Sequence, residues 1–344
     1  FGCSQLVLGP LSDRFGRRPV LLCGLAAYVL AAIGGVLAPS MLWLIGWRAV
    51  QGAAMGAAVM CARAIVRDLY VPADGARVMS RALTGLGVIA CLCAPVGGLV
   101  SDLFGWRVAL IVPALFGSAS LALIALRFNE TLVQRNPNAL RIGTLLATWS
   151  TVLRNPTFLA FTALTTCAYA VLFTFLAASS FTFIQVLGLS KTQYGLVMLW
   201  NSLAYIAGTF LCRHWLRKHG LRGCVARGGW LSLVGGTLMG GLALAGVQSV
   251  AAIAAPLTLA MLGHGVHQPC GQTGAVGPFP RAAGAASALN GFVMMLAAFG
   301  IGGWLGSHLN DTVRPLAFGM WFWCVCLALC AWTLVQKHGE PRGR

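Results

Sequence analysis

The sequence predicts an all-α integral membrane protein, and three observations carry that prediction. Hydrophobic residues make up 58% of the 344-residue chain and charged residues only 9%, against about 25% in soluble domains. The apolar residues fall into runs long enough to cross a bilayer core about 30 Å thick, which takes roughly 20 helical residues. The 24 Lys and Arg residues collect in alternate loops between those runs. Barrel strands would alternate polar and apolar residues over about ten positions, a pattern the sequence lacks.

Ten complete spans are expected, at 20–37, 41–62, 83–101, 108–127, 157–178, 194–212, 229–247, 251–270, 284–306 and 316–335, and residues 1–8 read as the tail of an earlier one. The 43 glycines sit largely within these runs, where small residues let helices approach closely in lipid. With the 9–19 loop on the cytoplasmic side and the sides alternating, 20 of the 24 basic residues fall inside, Arg48 lies within a span, and Arg107, Lys191 and Arg314 are outside. The C-terminus then lies in the cytoplasm. This asymmetry accounts for the formal charge of +17 without a polyanionic partner, so no nucleic acid is expected.

The 12 cysteines include no Cys-x-x-Cys pair. Most of them (Cys23, Cys61, Cys91, Cys93, Cys167, Cys270, Cys324, Cys326 and Cys330) lie in apolar runs, where Cys behaves as a small hydrophobe. No disulfide framework, metal site or cofactor is expected. The sequence also lacks a Gly-rich phosphate loop, Gly-x-Ser-x-Gly and His-Glu-x-x-His, which argues against an enzyme and for transport driven by an ion or solute gradient. The longest polar connection, 128–156, contains Asn136-Pro137-Asn138 and ends at Asn155-Pro156. Between those breaks Ile142, Leu145, Leu146, Trp149, Val152 and Leu153 recur at helical spacing, as an amphipathic helix on the inner surface requires.

The first loop reads Gly9-Pro10-Leu11-Ser12-Asp13-Arg14-Phe15-Gly16-Arg17-Arg18-Pro19. Its glycines permit a tight turn, its acid can accept from a nearby arginine, and its arginines hold the cytoplasmic surface. The order Gly-x-Leu-x-Asp-Arg-x-Gly-Arg-Arg resembles the major facilitator superfamily, whose loop between spans 2 and 3 carries this signature. The resemblance implies a major facilitator fold of two pseudo-symmetric six-helix bundles, and it numbers the partial span as the second. Span 1 and most of span 2 are then expected to be missing. The implied domains are an N-terminal bundle at 1–127, a cytoplasmic linker at 128–156, a C-terminal bundle at 157–335 and a tail at 336–344.

Span 4 holds Arg48-Ala49-Val50-Gln51-Gly52. A charge at that depth is costly unless it is paired, faces water or snorkels outward. In the drug:proton antiporters of the superfamily the matching arginine and glutamine belong to a motif tied to proton coupling, which implies that role for Arg48 and Gln51. At the inner end of the span, Ala62-Arg63-Ala64-Ile65-Val66-Arg67-Asp68-Leu69-Tyr70 looks like the bicyclomycin-resistance branch of drug exporters and singles out Arg63 and Asp68. Span 5 contains Ala94-Pro95-Val96-Gly97-Gly98, a departure from the antiporters' Gly-Pro-x-x-Gly-Gly because Ala94 replaces the first glycine. Pro95 frees a carbonyl and bends the helix, while Gly97 and Gly98 admit a close neighbour. Phe104-Gly105-Trp106-Arg107 and Asn129-Glu130-Thr131 also resemble this branch.

The second half repeats the plan. Residues 213–222 stand about 204 positions after the first loop, with Gly220 opposite Gly16, Lys218 opposite Arg14 and Arg217 in place of the acid. Ala283-Gly284-Ala285-Ala286-Ser287-Ala288-Leu289 resembles the start of span 11 in the same branch. In span 10, His264 and His267 share a face and Gln268 adds a polar group beside Pro269, so these residues either face a substrate cavity or bond other helices. Tyr169, Phe173, Trp200, Asn201, Tyr205, Asn290, Met294 and Met295 are further candidates for a cavity wall that would suit variable apolar ligands.

The seven acids Asp13, Asp68, Asp74, Asp102, Glu130, Asp311 and Glu340 all lie in loops or at span ends, which leaves Arg48 as a buried cation without a visible partner. The resemblance therefore implies a carboxylate facing Arg48 from the absent span 1, with His264 or His267 as the fallback proton carrier. The expected function is export of lipophilic drugs in exchange for protons, by rocking of two halves around a midplane cavity, in a monomer of the inner membrane. An importer of a small metabolite and a non-transporting scaffold or sensor are the rival readings.

Overall fold

The computed structural model describes residues 1–70, 72–132, 135, 139, 141–279 and 282–339, and their side chains except at 63, 67, 72–77, 79–81, 83, 84, 86, 87, 90, 91, 94, 142 and 283. The regular structure among the described residues is helical. It comprises α1 (Gly2–Phe15), α2 (Arg17–Val36), α3 (Met41–Leu69), α4 (Pro72–Phe104), α5 (Trp106–Arg127), α6 (Ile142–Leu153) and α7 (Pro156–Ser180). After a π-helical turn (Phe181–Val186) follow α8 (Lys191–Leu244), α9 (Val250–Val276), α10 (Ala283–His308), α11 (Arg314–Trp332) and α12 (Leu334–His338).

Among the described residues eight helices are long and apolar enough to cross a membrane. α8 alone, with 54 residues, contains the expected span 194–212 and all but the last three residues of 229–247. The expected span 83–101 falls within α4. The basic segment 213–228 is helical where a loop was expected. Its Arg, Lys and Leu residues favour helix, and the helical path breaks at Gly220 (φ 64°, ψ −175°). Residues 1–8 lie in α1, which continues to Phe15.

The chain divides into two compact units. The first comprises Phe1–Val88 and Leu99–Ser150, the second Ile89–Gly98 and Thr151–Arg344. In the first, α2 packs on α3 and α5, and α1 packs on α3. An apolar cavity of about 510 Å³ opens among α2, α3 and α5, lined by Leu21, Tyr28, Met55, Ile65, Phe116 and Phe128 among others. In the second, α8 packs on α9 and α11, and α7 on α9, α10 and α11. Phe175, Phe183, Met239, Leu257, Met261, Leu316 and Met320 form the buried core of that unit. The backbones of α8 and α9 approach so closely that a Cβ at Gly208 would overlap the main chain of Leu262, the small-residue contact that membrane helices use. α6 carries buried Val152, with Leu146 and Leu153 exposed.

Candidate functional site

The loop between α1 and α2 is built around two residues. Gly16 ends α1, its N–H donating to Ser12 O at 3.1 Å, and adopts φ 108° and ψ 159°, a region open in practice to glycine alone. A Cβ there would also overlap the carboxylate of Glu130. Arg17 follows and turns inward, with 2% of its side chain exposed.

A buried guanidinium requires partners for its charge and its donors. Arg17 Nε donates to Asp68 Oδ2 at 2.9 Å, and Nη1 donates to Ser12 Oγ at 2.6 Å and to Asp13 Oδ1. Asp68 comes from the end of α3 and Asp13 from the end of α1, so one side chain ties three helix termini. Asp68 is 14% exposed and Asp13 44%, which makes Asp68 the better shielded counter-ion. Arg14 is exposed and rests over the ring of Phe15 at 5.4 Å. The carbonyl of Gly9 accepts from Ser12 Oγ at 2.8 Å, placing that hydroxyl toward Arg17.

Glu130 completes the loop and was absent from the expected site. α2 has no side-chain cap of its own, and its first amides, Arg17 N–H and Arg18 N–H, donate to Glu130 Oε1 and Oε2 at 2.9 and 3.1 Å. Thr131 and Leu132 N–H donate to Oε1, each at 3.0 Å. Burial alone would raise this carboxyl, but the backbone donors outweigh it and hold Glu130 below the ordinary glutamate value. The start of α2 thus receives the anion that a helix N-terminus favours, from a residue beyond the end of α5. Arg18 reciprocates, its Nη2 donating to Ala125 O at 2.9 Å in the last turn of α5. The only sequence signal for this role is Asn129-Glu130-Thr131, whose resemblance to the exporter branch carries no structural assignment.

On α3, Arg48 is exposed rather than buried, and it has a partner: Nη1 donates to Gln51 Oε1 at 3.0 Å, with Gln51 itself buried. The i,i+3 spacing brings the amide under the guanidinium, and among the described residues no ion pair joins Arg48 to a carboxylate. The backbone of Arg63 lies in α3, and its side chain is outside the described residues. In α4, Pro95, Gly97 and Gly98 are partly buried. A Cβ at Gly98 would crowd the backbone of Lys191, whereas one at Gly97 would meet open space.

The expected cavity residues all lie in the second unit. Tyr169 stacks on Phe173 with ring centroids 6.2 Å apart, and Tyr205 lies 5.5 Å from the His264 ring. Asn290 Oδ1 accepts from Thr165 Oγ1 at 2.8 Å, and its Nδ2 reaches Met294 Sδ at 3.7 Å. Asn201 is buried, its Nδ2 donating to Val197 O at 2.8 Å while Oδ1 is unpartnered. Trp200 is 58% exposed, with Nε1 donating to Thr258 Oγ1 at 2.9 Å. His264 and His267 are buried and reach different helices. His264 Nδ1 is 3.0 Å from Ala168 O on α7, and His267 Nε2 is 3.2 Å from Val225 O on α8. Gln268 leaves Oε1 buried and unpartnered.

One constellation escaped the sequence reading. Cys212, Cys224 and Cys270 bring three buried sulfurs together, although no two of them are close in sequence.

Helices of membrane length in two compact units, with an acid–arginine latch at the first inter-helix turn, are the build of a polytopic membrane protein. The chain belongs to the Major Facilitator Superfamily, whose family description matches residues 1–300. It is 30% identical over 351 residues to multidrug resistance protein D of Escherichia coli, covering 99% of this chain and 86% of that protein. It is 27% identical to the bicyclomycin resistance protein homolog of Haemophilus influenzae (98% and 85% covered) and 31% identical to the chloramphenicol resistance protein of Pseudomonas aeruginosa (84% and 68%). Among solved structures, the human organic anion transporter MFSD10 superposes with a TM-score of 0.69 at 22% identity, over 97% of this chain and 80% of that one. A bacterial homolog of the lysosomal transporter Spinster, inward-facing and occupied, gives 0.64 at 13% identity, over 98% and 85%. These two establish the shared fold.

Proposed function

We propose that the protein exports drugs or other small xenobiotics across the bacterial inner membrane by secondary active transport. The observation that carries this reading is similarity, over 99% of the chain, to a protein named for multidrug resistance. The latch around Arg17 supports it physically. A loop that ties the ends of α1, α2 and α3 through one buried guanidinium stabilises whichever access state contains those contacts, so it biases the equilibrium between states. Arg48 and Gln51 serve proton coupling. An exposed guanidinium held by an amide is free to exchange that partner for a carboxylate when a proton leaves. Tyr169, Phe173, Tyr205, Asn290 and Met294 contribute to substrate binding in the second unit. The C-terminus faces the cytoplasm, the chain works as a monomer, and it carries out no chemical conversion of its substrate.

The test is accumulation of a chloramphenicol-type antibiotic in drug-sensitive bacteria expressing the chain. Lower accumulation that returns to the control level when the proton gradient is collapsed supports the reading. Higher accumulation under the same gradient would replace it with import. Arg48→Ala should abolish gradient-driven export while leaving substrate binding to the purified protein intact.

A further inference from the structure

We propose that Cys212, Cys224 and Cys270 form a binding site for a soft d10 metal ion, Zn²⁺ or Cu⁺, at the turn between the two halves of α8. Cys212 lies in the first half eight residues before the Gly220 kink, Cys224 in the second half four residues after it, and Cys270 approaches from α9. The reversal at Gly220 folds Cys224 back onto Cys212. The three Sγ–Sγ separations are 3.5 Å (Cys212–Cys270), 3.9 Å (Cys224–Cys270) and 4.0 Å (Cys212–Cys224). Metal–sulfur bonds of about 2.3 Å place tetrahedral thiolates about 3.8 Å apart and trigonal ones about 4.0 Å apart. The sulfurs therefore already stand near the edge lengths of a metal-bound set.

Cys167 and Cys330 also meet, but among the described residues only Cys212, Cys224 and Cys270 bring three sulfurs within ligand reach of one another. Cys61 and Cys324 are equally buried without sulfur neighbours of this kind, as expected of a cysteine acting as a small hydrophobe. The surroundings also suit an anionic centre. Arg213 adjoins Cys212 in sequence, and Arg222 and Arg227 flank Cys224, so the segment that carries two of the ligands is basic. His267, one turn before Cys270, is fully buried, with Nε2 3.2 Å from Val225 O beside Cys224. Soft thiolate sets favour Cu⁺ and Zn²⁺ over the hard cations that carboxylates select. On binding, three S–H bonds break, three protons leave to solvent and three metal–sulfur bonds form. Zn²⁺ and Cu⁺ enter without change of oxidation state.

The test uses the full chain, purified in detergent, reduced and freed of metal. One arm receives Zn²⁺ alone and the other Cu⁺ alone under anaerobic conditions. Retention of about one ion per chain after desalting in either arm supports the site, and that arm identifies the ion. Cys212→Ser and Cys270→Ser should each weaken binding by more than the roughly 10–100-fold that loss of an outer-shell partner costs, while Cys324→Ser binds normally. The unaltered chain supplies a second measurement that needs no variant to fold. Because these sulfurs are buried, the reaction is followed in partly denaturing detergent, where metal should slow modification of three thiols by a maleimide reagent relative to the metal-free chain. Retention of neither ion, equal retention by the Cys212→Ser/Cys224→Ser/Cys270→Ser protein, or no thiol protection would overturn the proposal.

Discussion

The turn at 9–19 in the first unit and its counterpart at 213–222 in the second use the same backbone device and different chemistry. Each contains a glycine with positive φ, Gly16 at 108° and Gly220 at 64°, between two helices. At the first, Arg17 is buried against Asp13 and Asp68, and Glu130 caps the outgoing helix. At the second, Arg217 occupies the position of the acid and is exposed, and Leu221 occupies that of Arg17. Sulfur fills the interior there instead. The backbone reversal is thus separable from the ionic latch, and only the first turn couples the reversal to charges drawn from other helices.

The largest effect should come from removing the hub of that latch. Arg17→Ala removes the guanidinium that Asp13 and Asp68 share and should cost about 3–5 kcal/mol, the usual penalty for breaking a buried pair. Thermal unfolding of the detergent-solubilised protein would report it, and an unchanged melting temperature would dissolve the distinction between the turns. Next come the glycines. Gly16→Ala meets both the strained backbone and Glu130, so it should lose at least the roughly 1–3 kcal/mol that such a conformation costs a residue with a Cβ. A Cβ at Gly220 points into open space, so Gly220→Ala should lower the melting temperature less. A smaller effect on stability but a clear one on transport is expected from Asp13→Asn, because Asp13 is half-exposed. Export should fall with membrane insertion intact, and Asp68→Asn should do more harm by both measures.

Glu130 gives the comparison a pH signature. Its folded carboxyl is held below the ordinary value, so its stabilisation is present above the unfolded value of about 4.3 and is lost as pH falls through the folded one. Glu130→Gln should flatten the stability profile between neutral and acid pH relative to the parent. The smallest effect belongs to the second turn. Arg217→Ala should stay within about 0.5 kcal/mol, as an exposed surface change does, and a larger loss would reveal a latch there too.

Much of the architecture was legible because hydropathy and charge asymmetry are local properties of the chain. The spans at 41–62, 108–127 and 251–270 fall within α3, α5 and α9, and the Gly-x-Leu-x-Asp-Arg-x-Gly-Arg-Arg string points to Gly16 and Arg17 without any geometry. The residues that escaped act across long separations. Glu130 meets Arg17 from 113 positions away, Asn290 meets Thr165 from 125, and Cys270 meets Cys212 from 58. Periodicity carries no information about such pairings. Span depth argues from lipid alone and carries no information about the bond that Gln51, on the same helix, gives Arg48.

The cap on α2 also orders events during synthesis. The amides of Arg17 and Arg18 emerge from the ribosome long before Glu130, since α2, α3, α4 and α5 lie between them in the chain. Until α5 has been made, the start of α2 has no side chain to receive its first donors. This end of the first unit is therefore closed late, and a nascent chain halted before residue 130 would lack the cap on its first turn. Completion of that unit is registered chemically by the arrival of a single carboxylate.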